Sequence, residues 1–168
     1  LGTRSTLAPP GRRSLAYGAL WASLDWPESP DFDPSAPEQR YRAASRMVGV
    51  LPIGTLPQDN APKAAFFWSI RTDQVDAWRG NGLDAWKAEA RTLWPATGTF
   101  LDQIRSPDAL TFARYSHRTL RKPAERRLIH IGDAWHSASP QLGQGANMAL
   151  LDAYAVASGV RLRGDVED

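Results

Sequence analysis

The sequence predicts an α+β fold, in which a mostly antiparallel sheet carries a helical insert and is followed by a strand-loop-helix unit. Stretches whose side chains alternate between two faces, such as Ser14–Trp26 and Gln39–Pro52, are typical of strands. Between two such stretches, apolar residues recur at helical spacing from Leu83 to Trp94. Because the strands come in runs and the helices are grouped, the order favours α+β over an alternating α/β fold.

The first two predicted strands differ in how many of their faces are apolar. In Ser14–Trp26 both alternating sets are largely apolar, so both faces should be covered. The first set is Leu20, Ala22, Leu24 and Trp26, and the second is Tyr17, Ala19 and Trp21. After a proline-rich connection at Pro27–Pro37, the segment Gln39–Pro52 predicts a strand with one solvated face, because Arg40, Arg42 and Arg46 alternate with less polar residues. The alternative role for these arginines is a clamp for a substrate anion.

The next elements follow from residues that start or interrupt regular structure. Gly54–Pro62 predicts a loop, and Ala64–Arg71 predicts a third strand that carries aromatic residues. Asp73 is a candidate cap for a helix that ends near Gly82, and Pro95 closes the helix after it. The remaining predicted elements are a short helix at Phe100–Ile104, a strand at Leu110–Arg118 and a solvated basic turn at Arg118–Arg127.

Composition excludes several functional classes. With 42% hydrophobic and 23% charged residues, the 168-residue chain can bury a core and is not expected to be disordered. A net charge of +2 is too small to predict a nucleic-acid partner. The absence of cysteine excludes disulfides and thiolate metal sites. No apolar run approaches the roughly 20 residues that span a bilayer, and no secretory signal is visible, so we expect no membrane partner and a cytoplasmic location.

The terminal strand-loop-helix unit is the most informative part of the sequence. Leu128–Ile131 is short, apolar and partly β-branched, which predicts a buried strand that ends at Gly132. After a polar loop, a helix is expected from Gln144 onward, with one apolar face formed by Met148, Leu151, Ala155 and Val156. Such a unit aims unpaired backbone N–H groups and the positive end of a helix dipole at the loop, which favours an electron-rich or anionic ligand.

The loop and helix start resemble the second FAD-binding motif of the class A flavoprotein monooxygenases, the para-hydroxybenzoate hydroxylase-like family. The matching residues are Gly132-Asp133-Ala134-Trp135-His136, Ser139-Pro140, Gly143-Gln144-Gly145-Ala146-Asn147 and Asp152. The resemblance implies that Asp133 binds sugar hydroxyls of FAD and that Pro140 lies beside the flavin. It also implies that Gly143 to Asn147 place backbone N–H groups at the flavin pyrimidine edge. Trp135 departs from the alanine that is frequent in the family.

The start of the chain resembles part of a second motif of the same family. Leu1-Gly2-Thr3-Arg4-Ser5 is similar to the end of a segment that helps hold the FAD pyrophosphate and the nicotinamide nucleotide, with Leu1 where the family has aspartate. This resemblance implies a cofactor role for Arg4, whereas a solvated terminal arginine is the alternative. The domains implied are an FAD-domain remnant at 1–12, a substrate-binding sheet domain at 13–127 and the returning FAD-domain unit at 128–168.

The sequence lacks the first half of a dinucleotide-binding fold. No strand, G-x-G-x-x-G and helix occur near its start, and the segment Gly143–Met148 has methionine at the third glycine position. We therefore expect the N-terminal half of the FAD domain to be missing, so that this chain alone is inactive. The resemblance implies a monooxygenase that uses FAD, NAD(P)H and dioxygen on a small aromatic or other planar substrate. A non-catalytic remnant or binding module is the alternative.

Other chemistries find little support in the sequence. Ser137 and Ser139 lie near His136, but no G-x-S-x-G elbow is present and triads are seldom assembled from such close neighbours. The three histidines show no metal-ligand spacing with carboxylates. We expect His136 to make a structural hydrogen bond within its loop. No protein side chain is predicted to act as a catalytic nucleophile, acid or base.

Overall fold

The structure is a computed structural model that describes residues 13–28 and 31–164. Its contacts define two compact units, Ala16–Tyr115 and a second unit formed by Leu1–Leu15 together with Ser116–Asp168. The domain limits expected from the resemblance stay predictions. Within the described ranges, no helix combines the length and the apolar character needed to cross a membrane.

Five strands lie side by side in one sheet, and most of their residues belong to the first unit. They are β1 (Arg13–Asp25), β2 (Glu38–Arg42), β3 (Arg46–Leu56), β4 (Asp59–Arg71) and β5 (Thr111–Thr119). Their order across the sheet is β2-β3-β4-β1-β5, and the pairs β2–β3, β3–β4 and β1–β4 are antiparallel. The prediction of a mostly antiparallel sheet in an α+β fold is confirmed.

The helical insert lies between β4 and β5 in the chain. It contains α1 (Val75–Asn81), α2 (Leu83–Leu93) and α3 (Gly98–Leu101). Gly82 separates α1 from α2 with a φ of 81°, a backbone conformation that other residues rarely adopt. Pro95 follows α2 and begins a short 3-10 turn, because proline cannot donate the backbone hydrogen bond that would continue the helix.

The two faces of the sheet carry different sets of side chains. The core face holds Leu20, Phe66 and Trp68 together with Trp86 of α2 and Phe100 of α3. The rings of Phe66 and Trp68 both meet Trp86 edge to face, which is a favoured aromatic geometry.

On the opposite face, Trp21 stacks on Phe67 with 4.7 Å between ring centroids. The Phe67 ring lies over Gly49, where an added Cβ would collide with it. The expected division of β1 into two apolar sets is therefore seen in the packing.

Two parts of the sheet differ from the expectation. Gln39–Pro52 is two strands rather than one, because the chain reverses at Ala43 with a φ of 51° and pairs Arg42 with Arg46. Gly54–Pro62 is largely a hairpin rather than a loop, since strand structure continues to Leu56 and resumes at Asp59. The polar, glycine- and proline-bearing sequence is accommodated there because this exposed end of the ladder has an irregular register on both sides of Gly54.

The second unit contains short strands and one long helix. Its elements are β6 (Ala124–Glu125), β7 (Leu128–Ile129), β8 (His136–Ser137) and α4 (Gly145–Gly164). β6 pairs with β7, and β8 pairs with the last residues of β5, Arg118 with Ser137 and Thr119 with His136. The segment Arg118–Arg127 is thus not only a solvated turn, because it contains part of β5 and all of β6.

The prediction of a buried strand at Leu128–Ile131 is wrong in extent and burial. The strand has two residues, and Ile129 and Ile131 are 49% and 37% exposed. The prediction of a helix after the loop is confirmed by α4, but the covered face of α4 is not the predicted one. Met148 and Val156 are partly covered, whereas Leu151 is 67% exposed.

Candidate functional site

Asp152 holds the loop between β7 and α4 against the helix. Its Oδ2 atom accepts a hydrogen bond of 2.8 Å from the backbone N–H of Gly132 and lies 2.6 Å from Nε2 of His136. The side chains of His136 and Asp152 are only 13% and 14% exposed, so water competes weakly for this contact. The hydrogen bond expected for His136 exists, but its partner lies on α4 rather than in the loop.

Gly132 lets the loop approach the helix closely. Its φ of 56° lies in the left-handed region, and an added Cβ would be 3.0 Å from the Cβ of Ala149. A side chain at this position would be strained by the backbone and would push against α4. The backbone conformation at Gly132 and its close approach to Ala149 therefore account for glycine at this position.

Trp135 anchors the other side of the loop. Its indole Nε1 donates to the carbonyl oxygen of Leu120 at 3.3 Å, and the backbone N–H of Leu120 donates to the Trp135 carbonyl at 2.8 Å. The tryptophan that departs from the family pattern thus ties the loop to the residue that follows β5.

A groove of about 520 Å³ lies at the N-terminal end of α4. It is lined by Asp133, Ala138, Ser139, Pro140, Gly143, Gly145, Ala146 and Ala149. Five of these residues belong to the set expected to bind FAD. The structure therefore brings together, on one concave surface, residues from two separate parts of the motif.

A tight turn shapes the far side of the groove. Pro140 begins a 3-10 turn that Gly143 closes by donating its backbone N–H to the Pro140 carbonyl at 2.9 Å. Gly143 has a φ of 62° and a ψ of 17°, a left-handed conformation that glycine adopts without a steric penalty. α4 begins two residues after Gly143, at Gly145.

The first turn of α4 gives the groove an electropositive end. The first N–H groups of a helix have no carbonyl partner within it, and the aligned peptide dipoles place partial positive charge there. No acidic residue lies in this first turn of α4. The groove therefore suits an electron-rich group better than a cation.

The other expected site residues are placed differently. Gln144 and Asn147 do not line the groove; the Gln144 amide donates to the Leu142 carbonyl at 3.2 Å, and the Asn147 amide donates to Gln144 Oε1 at 3.4 Å. Asp133 is exposed and lines the groove. Arg4 lies outside the described residues.

Two features of the groove were not expected from the sequence. Ala138 and Ala149 contribute to its lining, and Asp152 proves to be the acceptor that orders the loop. The spacing contained a signal for Ala149, which lies four residues after Gly145 and so on the same helix face. No comparable signal paired Asp152 with Gly132, because that contact depends on how the loop folds back.

Comparison with known structures gives the same fold. PqsL, a probable FAD-dependent monooxygenase from Pseudomonas aeruginosa, matches with a TM-score of 0.70 at 16% identity, over 90% of this chain and 40% of its own. The 2-methyl-3-hydroxypyridine-5-carboxylic acid oxygenase matches with a TM-score of 0.62 at 15% identity, over 92% of this chain and 40% of its own.

A third structural relative was solved with two ligands bound. Klebsiella pneumoniae HpxO, complexed with FAD and uric acid, matches with a TM-score of 0.52 at 17% identity, over 83% of this chain and 34% of its own. The chain thus spans about 40% of the length of the first structures that it matches. No curated protein sequence matches it significantly.

A family model described as FAD binding domain matches residues 21–162. This match covers most of the sheet and the whole motif from Gly132 to Asp152, and it agrees with the resemblance that the motif residues carry. The chain belongs to the FAD binding domain family.

Proposed function

We propose that this chain supplies the second cofactor-binding segment and the substrate-side sheet of an FAD-dependent monooxygenase. The enzyme would use NAD(P)H and dioxygen to oxidise a small aromatic or other planar molecule. The groove at the start of α4 is the observation that carries this proposal. Two structural relatives support the substrate class, since one PqsL structure contains 2-aminobenzoylacetate and one HpxO structure contains uric acid.

The open space beside Gly145 supports a groove that fits a flat cofactor. An added Cβ at this position would meet no atom within 4 Å, and Gly145 is not in the left-handed region. Neither packing nor backbone conformation therefore requires glycine here, although glycine weakens a helix relative to alanine by roughly 0.5–1 kcal/mol. A ligand that approaches the backbone closely would account for it.

The groove residues would divide the work of binding FAD. The N–H groups of the first turn of α4 would face the electron-rich pyrimidine edge and stabilise negative charge there. Asp133 would accept hydrogen bonds from sugar hydroxyls, and Pro140 would pack beside the ring system. The flavin itself supplies the redox chemistry when it is bound.

We assign the substrate to the sheet face that holds Trp21. Trp21 stacks on Phe67, and its indole N–H donates to the Tyr115 hydroxyl at 3.2 Å. Tyr115 is 7% exposed, and burial raises the pKa of its phenol, so it stays protonated at neutral pH. A flat aromatic face with one fixed hydroxyl suits a planar substrate.

The chain alone should bind FAD weakly and should not hydroxylate a substrate. The groove would contact one part of the cofactor only, and association costs at least about 4 kcal/mol before contacts show as affinity. Titration of the purified chain with FAD, followed by flavin fluorescence, should show weak or no binding. Addition of the N-terminal half of a related enzyme should restore stoichiometric binding. Tight binding by the chain alone would contradict the incomplete site.

Replacement of one groove residue tests the assignment within the complemented complex. Asp133→Ala should weaken FAD binding by about 1–3 kcal/mol, the scale for losing a hydrogen bond to a charged group. Asp84→Ala removes another exposed aspartate, at the start of α2, and should leave the affinity unchanged. Equal affinities for the two variants would remove Asp133 from the site.

A further inference from the structure

The positive charge of the chain is concentrated in and before the hairpin of β6 and β7. Residues 118–127 include five basic residues and one acidic residue, a formal charge of +4. The rest of the chain has 15 basic and 17 acidic residues, a formal charge of −2. The small net charge of +2 therefore results from an uneven distribution, which attracts an approaching anion to this one segment.

The basic side chains of this segment have no acidic partner. All five residues are exposed, and none forms an ion pair with a carboxylate in the part of the chain that the structure describes. These five residues, which we call the basic cluster, are Arg118, Arg121, Lys122, Arg126 and Arg127. In the sheet unit, by contrast, five arginines each pair with an aspartate or glutamate, namely Arg40, Arg42, Arg46, Arg71 and Arg91. The basic cluster can therefore bind an anion from outside the chain without first breaking an ion pair.

Backbone hydrogen bonds fix the hairpin that presents part of this cluster. β6 and β7 pair antiparallel, so that Arg126 and Arg127 form the two-residue turn at the tip. At the base, the backbone N–H of His130 donates to the Pro123 carbonyl at 2.9 Å. Because this backbone is already ordered, an anion that binds here has less conformational entropy to remove.

The base of the hairpin adjoins the groove at α4, within the same compact unit. Arg121 and Lys122 directly follow Leu120, whose backbone N–H donates to the Trp135 carbonyl at 2.8 Å. Trp135 lies two residues after Asp133, which lines the groove. With about 3.8 Å between consecutive Cα atoms, the Cα atoms of Arg121 and Asp133 are less than roughly 20 Å apart. An extended ligand that carries several phosphates can therefore contact the basic cluster and still reach the groove.

We propose that the basic cluster binds the phosphate groups of the reduced nicotinamide dinucleotide and holds this co-substrate beside the FAD groove. The inference rests on the proposed function, in which NAD(P)H is the reductant. Guanidinium groups suit such a ligand because their paired N–H donors match two phosphate oxygens. NADPH carries one phosphate more than NADH, so the cluster should favour NADPH.

The test titrates the 168-residue chain with NADPH or NADH at low salt and follows its assigned backbone amide resonances by NMR. NADPH should shift the amides of residues 118–130 saturably and should bind at least threefold more tightly than NADH. Raising the salt concentration from about 0.01 M to about 0.15 M shortens the screening length from roughly 30 Å to roughly 8 Å, so it should weaken NADPH binding at least fivefold.

Two double variants separate the basic cluster from a general effect of charge. Arg126→Gln with Arg127→Gln removes the two cations at the tip and should weaken NADPH binding at least fivefold. Arg79→Gln with Arg105→Gln removes the same charge from two exposed positions of the sheet unit and should leave the affinity unchanged. Inorganic pyrophosphate should compete with NADPH for the cluster, but with at least fivefold lower affinity because it offers fewer phosphates and no nucleoside.

Four results would overturn the proposal. The first is the absence of saturable shifts at the hairpin, and the second is equal weakening by the two double variants. The third is equal affinity for NADPH and NADH. The fourth is an affinity for pyrophosphate that equals the affinity for NADPH, which would identify a general anion surface. None of these measurements involves FAD, so failure here is distinguishable from failure of the proposed function.

Discussion

The sheet and the groove at α4 use glycine in opposite ways. Gly49 lies under the ring of Phe67, where any side chain would collide, whereas a Cβ on Gly145 would meet no atom within 4 Å. The first glycine is explained by packing within the chain. The second has no such contact, and under our proposal its open space is where the chain approaches the cofactor.

Apolar side chains show the same contrast between the two regions. Phe100 in the sheet unit is fully buried among aromatic neighbours, with Phe32 and Trp26 at 5.1 and 6.0 Å between ring centroids. Leu142, beside the groove turn, is 83% exposed, and Leu150 and Tyr154 on α4 are 69% and 74% exposed. Stability is therefore expected to reside in the sheet unit, and substitutions near the groove should affect binding instead.

The largest expected effect is a loss of stability on substitution in the sheet unit, which tests whether stability resides there rather than near the groove. Phe100→Ala should lower the free energy of unfolding by about 3–5 kcal/mol, because it removes a buried ring and leaves a cavity. Leu142→Ala should change it by less than about 0.5 kcal/mol, since little surface is buried there. Urea unfolding followed by tryptophan fluorescence measures both. Comparable losses in the two variants would show that the groove turn is as tightly packed as the core.

A smaller effect is expected from the side chain that orders the groove loop. Asp152→Ala should destabilise the loop by about 1–3 kcal/mol, because the N–H of Gly132 and the ring of His136 lose their acceptor. Hydrogen exchange of the Gly132 amide should accelerate accordingly. Asp152→Asn keeps one acceptor oxygen and should exchange at an intermediate rate. An unchanged rate in the alanine variant would show that Asp152 does not hold the loop.

The smallest expected effect is a change in how stability depends on pH, caused by Tyr115 on the sheet face that holds Trp21. Burial raises the pKa of Tyr115 in the folded state, so the unfolded chain ionises first as pH rises. The contribution of Tyr115 to stability is complete below its unfolded pKa of about 10 and is lost as pH rises through the folded pKa. Tyr115→Phe should flatten the alkaline part of the stability curve. An identical slope in the variant would contradict a buried, protonated phenol.

The sequence predicted the class of the fold because strand and helix periodicities were long and clear. It missed the reversal at Ala43, because a single non-glycine residue with a positive φ decides that turn. It missed the hairpin that follows Gly54, because a glycine- and proline-bearing sequence is more typical of a loop than of paired strands. It also predicted too long and too buried a strand at Leu128–Ile131. Apolar residues there suggest burial, but the pattern contains no information on what covers them.

The groove was partly predictable for a different reason. Local spacing placed Gly143, Gly145 and Ala146 at a helix start, and the structure puts them beside Asp133 and Pro140. A cavity of about 300 Å³ that is lined by Trp68, Trp78 and Trp86 was not predictable, because it depends on how α1 and α2 pack on the sheet.

The central claim is that the open space at Gly145 accommodates FAD, and matched substitutions on α4 test it most directly. Gly145→Leu and Gly159→Leu each add a side chain at a helix position where a Cβ meets no protein atom within 4 Å. Both variants should therefore fold, as circular dichroism can verify. In the complex restored with a partner N-terminal half, Gly145→Leu should weaken FAD binding at least tenfold and Gly159→Leu should leave it unchanged. Equal affinities in the two variants would contradict the assignment of the groove to FAD.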